Sequence, residues 1–174
     1  MLFAFLGCLT QVQNVSGIEK NNIVRIEEAL ASDAMEGRAM FSAGIEKSSA
    51  FIENEFKNIG LSFYTDLKSY RQEFKIKGKA ANNVVGVLPG KTKADEYVVF
   101  SAHYDHLGLV ENGEDKVYNG ANDDASGTTA VIALAKYFKE NKLNERTIVF
   151  VAFTAEEVGD MVRKNFQKVS MLVR

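Results

Sequence analysis

Three short segments hold the residues of this chain that could do chemistry. They are SAHYDHLG (Ser101–Gly108), YNGANDDASG (Tyr118–Gly127) and FTAEEVG (Phe153–Gly159). The chain has only two histidines, His103 and His106, and both fall in the first segment. Imidazole with aspartate and glutamate, and no cysteine nearby, suits a borderline divalent metal such as zinc. In His103-Tyr104-Asp105 the acid lies two residues on, where it can accept the second ring N–H and fix the tautomer. Asp123 can offer one oxygen to each of two ions in a hydrolytic site. Adjacent glutamates in extended backbone point in different directions. One of Glu156 and Glu157 can therefore ligate while the other takes a proton from metal-activated water. Whether Asp123 or Asp124 takes the bridging place is a question of register, the other then serving as the cap of the following helix.

Such residues act together only if the fold gathers them. Tyr97–Ala102 and Thr147–Phe153 are unbroken β-branched or aromatic runs, expected as parallel strands buried on both faces. Between them a helix is expected over about Ser126–Asn141, with Ala130, Leu134, Tyr137 and Phe138 inward. Strand, helix, strand is a right-handed crossover. It sends His103 and the glutamate pair out of the carboxyl ends of two strands, with Asp123 on the same edge. Ligands of open α/β sheets bind at that edge.

Helices are also expected over Ile18–Leu30 and Ala43–Ile59. In the second, Ile52, Phe56 and Ile59 form the inner stripe and Gly60 supplies the cap. ASDAMEGRA between them reads as a loop. Tyr70–Lys77 alternates as a strand with one wet face, and Val84–Leu88 is a strand closed by Pro89-Gly90. The fold class is α/β with a mixed sheet and helices on both faces. Gly86 to Thr92 approaches a phosphate loop but has the wrong glycine spacing and leads into a strand.

Composition narrows the function. A net charge of −2 and hydrophobic residues at 46% fit a globular domain without a nucleic-acid surface. A single cysteine, Cys8, permits no internal disulfide. MLFAFLGC is too short to span a membrane and reads as a signal-peptide remnant or a lipoprotein start with a lipid anchor on Cys8. The expected location is extracytoplasmic, at the cell envelope or secreted. The organisation is residues 1–16 as that leader, 17–160 as the domain and 161–174 as a basic tail.

The three segments, with ASDAMEGR and NNVVGVLPG, resemble Peptidase family M28, the two-zinc aminopeptidases, over roughly residues 18–159. The resemblance implies a three-layer α/β/α sandwich with a mainly parallel sheet, phosphorylase/hydrolase-like and here incomplete at the C-terminus. It implies two Zn2+, with His103 on one, Asp123 bridging and Glu157 on the other. Glu156 would be the general base and Asp105 the support of His103. Substrates would be peptides or amino-acyl amides. The family also uses a further aspartate and a distant histidine. No histidine follows His106, and the only acid after Glu157 is Asp160. On that count each ion has two protein donors, which predicts weak zinc binding and little activity for a truncated product. Two alternatives are a non-catalytic envelope-anchored fragment or binding module, and a glutaminyl-cyclase-like zinc acyltransferase.

Overall fold

A computed structural model describes residues 17–159. The apolar start with Cys8, and the tail over 161–174, lie outside the described residues. Helix α1 (Lys20–Leu30) buries Ile26 and Leu30, one turn apart. Asp33–Arg38 forms a 3-10 segment where a plain loop was expected. Helix α2 (Ala43–Ile59) starts where the Ser42 hydroxyl accepts the Ile45 N–H at 3.2 Å. It ends at Gly60, whose left-handed φ of 77° lets its N–H reach the Phe56 and Lys57 carbonyls.

Strands β1 (Arg71–Ile76), β2 (Lys79–Leu88), β3 (Lys93–His103) and β6 (Arg146–Phe153) form a mixed sheet in the order β1-β2-β6-β3. β1 with β2 and β2 with β6 are antiparallel, and β3 with β6 is parallel. Only that last pairing has the direction expected to dominate, because β1 and β2 form a hairpin. A two-stranded ribbon, β4 (Gly108–Leu109) with β5 (Val117–Tyr118), stands apart from the sheet. Helix α3 (Ser126–Asn141) makes the crossover from β3 to β6.

Period-two alternation divides the sheet into two faces. Val84, Leu88, Ile148, Phe150 and Ala152 pack with Ile26 and Leu30 of α1, Ile52 and Phe56 of α2, and Val131, Ile132 and Ala135 of α3. Phe100 stacks between Phe150 and Phe138, centroids 5.8 and 5.9 Å away, and so knits β3, β6 and α3 together. On the opposite face Val85, Val87, Val149 and Val151 meet Tyr64 and Leu67 of the segment before β1. The described helices therefore share one face, and no helix among the described residues covers the other.

Two expectations about burial are corrected. β6 is buried from Thr147 to Ala152, but Tyr97 and Val98 of β3 are 38% exposed. The reason is topological: β3 lies at the edge of the described sheet, with β6 on one side only. In α3, Ala130 is exposed, and the buried stripe runs through Thr128, Val131, Ile132 and Ala135, with Leu134 and Phe138 packed beside it. Small and apolar residues occur all round this helix, so the sequence pattern left its rotation loosely set. No helix among the described residues is long and apolar enough to cross a membrane.

Candidate metal centre

The parallel pairing of β3 and β6 sets the site. His103 is in register with Phe153, and the Tyr104 N–H donates to the Phe153 carbonyl at 2.8 Å. The two strands thus release HYDH and TAEE at the same level, as the crossover reading required. The turn Ala121–Ala125 brings the aspartates to that edge from the start of α3, where Thr128 Oγ1 donates to the His103 carbonyl at 2.9 Å. The Asp123–Asp124 peptide is cis.

The two aspartates diverge in role. Asp123 is largely exposed, and its Oδ1 lies 3.1 Å from His103 Nε2. Asp124 turns inward: Oδ1 accepts the Gly127 N–H at 2.9 Å and Oδ2 the His103 N–H at 3.3 Å. It caps the start of α3, one of the two roles the sequence left open for this pair. Gly127 leaves room for that cap, since a Cβ there would stand 2.3 Å from Asp124 Oδ1.

Asp105 is fully buried and works differently from the expectation. The His103 ring Nδ1 faces the Asp105 backbone carbonyl at 3.1 Å, while the nearer carboxylate oxygen is 3.7 Å away. The carboxylate instead accepts the backbone N–H groups of Glu156 and Glu157, each at 3.2 Å. Burial lowers the His103 pKa, but the nearby Asp105 carboxylate, with Asp124 and Glu156, outweighs it and raises the imidazole to about 9. The ring thus sits among carboxylates whose charge favours its protonated form.

Glu156 is exposed at the rim, and Glu157 is half-buried beside it. Glu157 Oε1 lies 2.9 Å from His106 Nδ1. Among the described residues, His106, Asp123 and Glu157 offer ligand atoms that all lie within 4.8 Å of one another. The sequence reading grouped His103 with Asp123 and Glu157. The structure keeps the Asp123 contact of His103 but closes the three-donor group with His106.

Arg38 was missed in the sequence, where one arginine in a polar stretch looks like surface. It is fully buried, and its guanidinium donates to the carbonyls of Tyr104 (2.9 Å), Leu30 (2.6 Å), Asn119 (2.6 Å) and Gly120 (2.8 Å). Its own carbonyl accepts the His106 N–H at 3.1 Å. Burial lowers the Arg38 pKa, opposed chiefly by the charge of Asp105. This one side chain ties the HYDH loop to the turn carrying Asp123. A cavity of about 470 Å³ lies elsewhere, among α1, α2 and α3, and includes none of these site residues.

The open α/β edge thus bears imidazoles and five carboxylates (Asp105, Asp123, Asp124, Glu156 and Glu157), nitrogen and oxygen donors of the kind divalent metals take. Residues 83–166 match the model of Peptidase family M28. A probable zinc metalloprotease of Pyricularia oryzae is 38% identical over 78 residues, which is 45% of this chain and 15% of that protein. Aminopeptidase YwaD of Bacillus subtilis is 32% identical over 82 residues, 47% of this chain and 16% of that protein. The chain thus spans less than a fifth of the length of these relatives. A glutaminyl cyclase of Fimbriiglobus ruber shares the fold at a TM-score of 0.63 and 18% identity, covering 82% of this chain and 47% of that one.

Proposed function

We propose that this chain carries the catalytic rim of a zinc-dependent aminopeptidase that hydrolyses the N-terminal bond of peptides or amino-acyl amides. The observation that supports it is the convergence of imidazole and carboxylate donors from β3, β6 and the turn before α3 on one sheet edge. The donor set fits zinc: nitrogen and oxygen ligands, no sulfur, and an excess of negative charge.

His103, Asp123 and Glu157 would hold the metal, with Asp123 shared between two ions. Zinc held by these residues would supply Lewis-acid polarisation of the scissile carbonyl and a more acidic water molecule. Glu156, exposed beside Glu157, receives the water proton and returns it to the leaving amine. Asp105 fixes both glutamates through their backbone N–H groups, so the base and the ligand keep their spacing. Exposed carboxylates at the rim hold the free ammonium of the substrate. We further propose an extracytoplasmic location, at the envelope or secreted, which the MLFAFLGC start supports.

The test is release of free amine from aminoacyl anilides by the zinc-loaded chain, abolished by a chelator and restored by Zn2+. Because a cyclase shares the fold, a glutaminyl peptide belongs in the same assay. A pyroglutamyl product would replace hydrolysis by intramolecular acyl transfer. Zinc uptake with neither product would leave a binding module.

A further inference from the structure

The imidazole of His106 is held by its surroundings before any metal arrives. Its ring lies against Gly120, where a Cβ would stand 2.5 Å from His106 Cδ2. Tyr118 presents an edge-to-face ring with centroids 6.4 Å apart. The backbone N–H is tied to Arg38, as described above. Gly108, at φ +89°, turns the chain immediately afterwards and backs onto Ala39, which a Cβ there would approach to 2.6 Å. These contacts come from several directions, and none depends on Glu157. The ring therefore faces Glu157 and Asp123 because the backbone aims it there.

The ligand atoms of His106, Asp123 and Glu157 lie within 4.8 Å of one another, near enough to close on one ion with small side-chain movements. Zinc–ligand bonds of about 2.0–2.1 Å in a tetrahedron put neighbouring ligand atoms roughly 3.3 Å apart. His106 Nδ1 to Glu157 Oε1 is 2.9 Å, and His103 Nε2 to Asp123 Oδ1 is 3.1 Å. Each imidazole thus stands beside one carboxylate at slightly less than that separation, and Asp123 also lies within 4.8 Å of the His106 and Glu157 ligand atoms. Three protein donors with a remaining position for water or substrate is the usual complement of a catalytic zinc ion.

We propose that His106 is a protein ligand, the third donor with Asp123 and Glu157 at the Glu157 side of the site; this rests on the zinc reading above. The competing role is purely structural, with His106 only hydrogen-bonding Glu157 into place.

The experiment uses the full chain, made metal-free, with nitrogen-isotope-labelled histidine. Two histidines give two resolvable sets of ring signals. On titration with Zn2+, a ligating nitrogen of both His103 and His106 should move to the metal-bound range and saturate. A shift confined to His103 overturns the assignment while leaving the zinc reading intact. No zinc uptake by the unaltered chain overturns both. His106→Gln is the second arm, read by calorimetric Zn2+ titration. Zinc affinity should fall at least about tenfold, the lower end of what even indirect supports of a metal site cost. Undiminished affinity in a folded variant also overturns the assignment.

Discussion

The carboxylate of Asp105 is turned toward Glu157, accepting its backbone N–H at 3.2 Å, and stands 3.7 Å from the ring nitrogen of His103. One strand end thereby dictates where the other presents its glutamates. Asp105→Asn keeps the shape but replaces an acceptor oxygen with an amide that faces an N–H donor. Hydrogen bonds to charged acceptors contribute about 1.5–3 kcal/mol, so the variant should lose about 2 kcal/mol in urea unfolding. Unchanged stability would mean that the glutamate segment holds its place without Asp105.

Arg38 tests how the two loops are joined. Lysine has the charge but not the planar fork, and it cannot serve four carbonyls in different directions. Arg38→Lys should cost about 3 kcal/mol or more, because buried carbonyls lose their donors. It should also weaken zinc uptake, since both the HYDH loop and the Asn119-Gly120 turn are released. A denaturation midpoint close to that of the unaltered chain would contradict this account.

These two residues show where the sequence stopped being legible. Ala43–Ile59 and Ser126–Asn141 could be read because local periodicity and caps determine them, with Gly60 marking an end and the Asp123-Asp124 pair a start. His103, Asp123 and the glutamates could be grouped because the crossover fixes the edge on which they emerge. The exposure of β3 could not be read, since Tyr97–Ala102 has the same β-branched and aromatic pattern at an edge as at a centre. Nor could the aim of His106, which depends on Gly120, twelve or more residues away in the chain, and on the Arg38 carbonyl, farther still. Single residues whose role is set by long-range backbone contacts carry little local signal.

Gly127→Ala probes the cap alone. The methyl group would collide with the Asp124 carboxylate, whose oxygens are within 2.3 and 2.5 Å of the Cβ position. Losing a side-chain cap costs about 1 kcal/mol, and Asp124 would also release the His103 N–H. Thermal unfolding should register a loss of about 1–2 kcal/mol. A neutral or stabilising effect would show that the turn can shift to make room.

Tyr70 links stability to pH. It is buried between Phe56 and Phe63, its hydroxyl donates to the Leu61 carbonyl at 2.7 Å, and burial raises its pKa. The folded state therefore keeps the phenol proton more firmly than the unfolded state does. This contribution is constant below the ordinary tyrosine value of about 10 and is lost as pH rises above it. Tyr70→Phe should cost about 1 kcal/mol at neutral pH through the lost hydrogen bond and should soften the alkaline fall in stability. An identical alkaline slope would remove Tyr70 as a source of that fall.

Glu156 separates proton transfer from metal binding. It is exposed at the rim, and in the proposed mechanism its carboxylate only moves a proton, while Glu157 faces His106 and Asp123. Glu156→Gln preserves size and the backbone N–H to Asp105 but removes the base. General-base catalysis contributes about 10²–10⁴-fold, so kcat for aminoacyl anilide hydrolysis should fall by about that factor. Zinc stoichiometry and unfolding midpoint should not move, because the residue neither closes the three-donor group nor fills the core. A variant that loses zinc along with activity would give Glu156 the role of a ligand. One that keeps full activity would take the base away from this position.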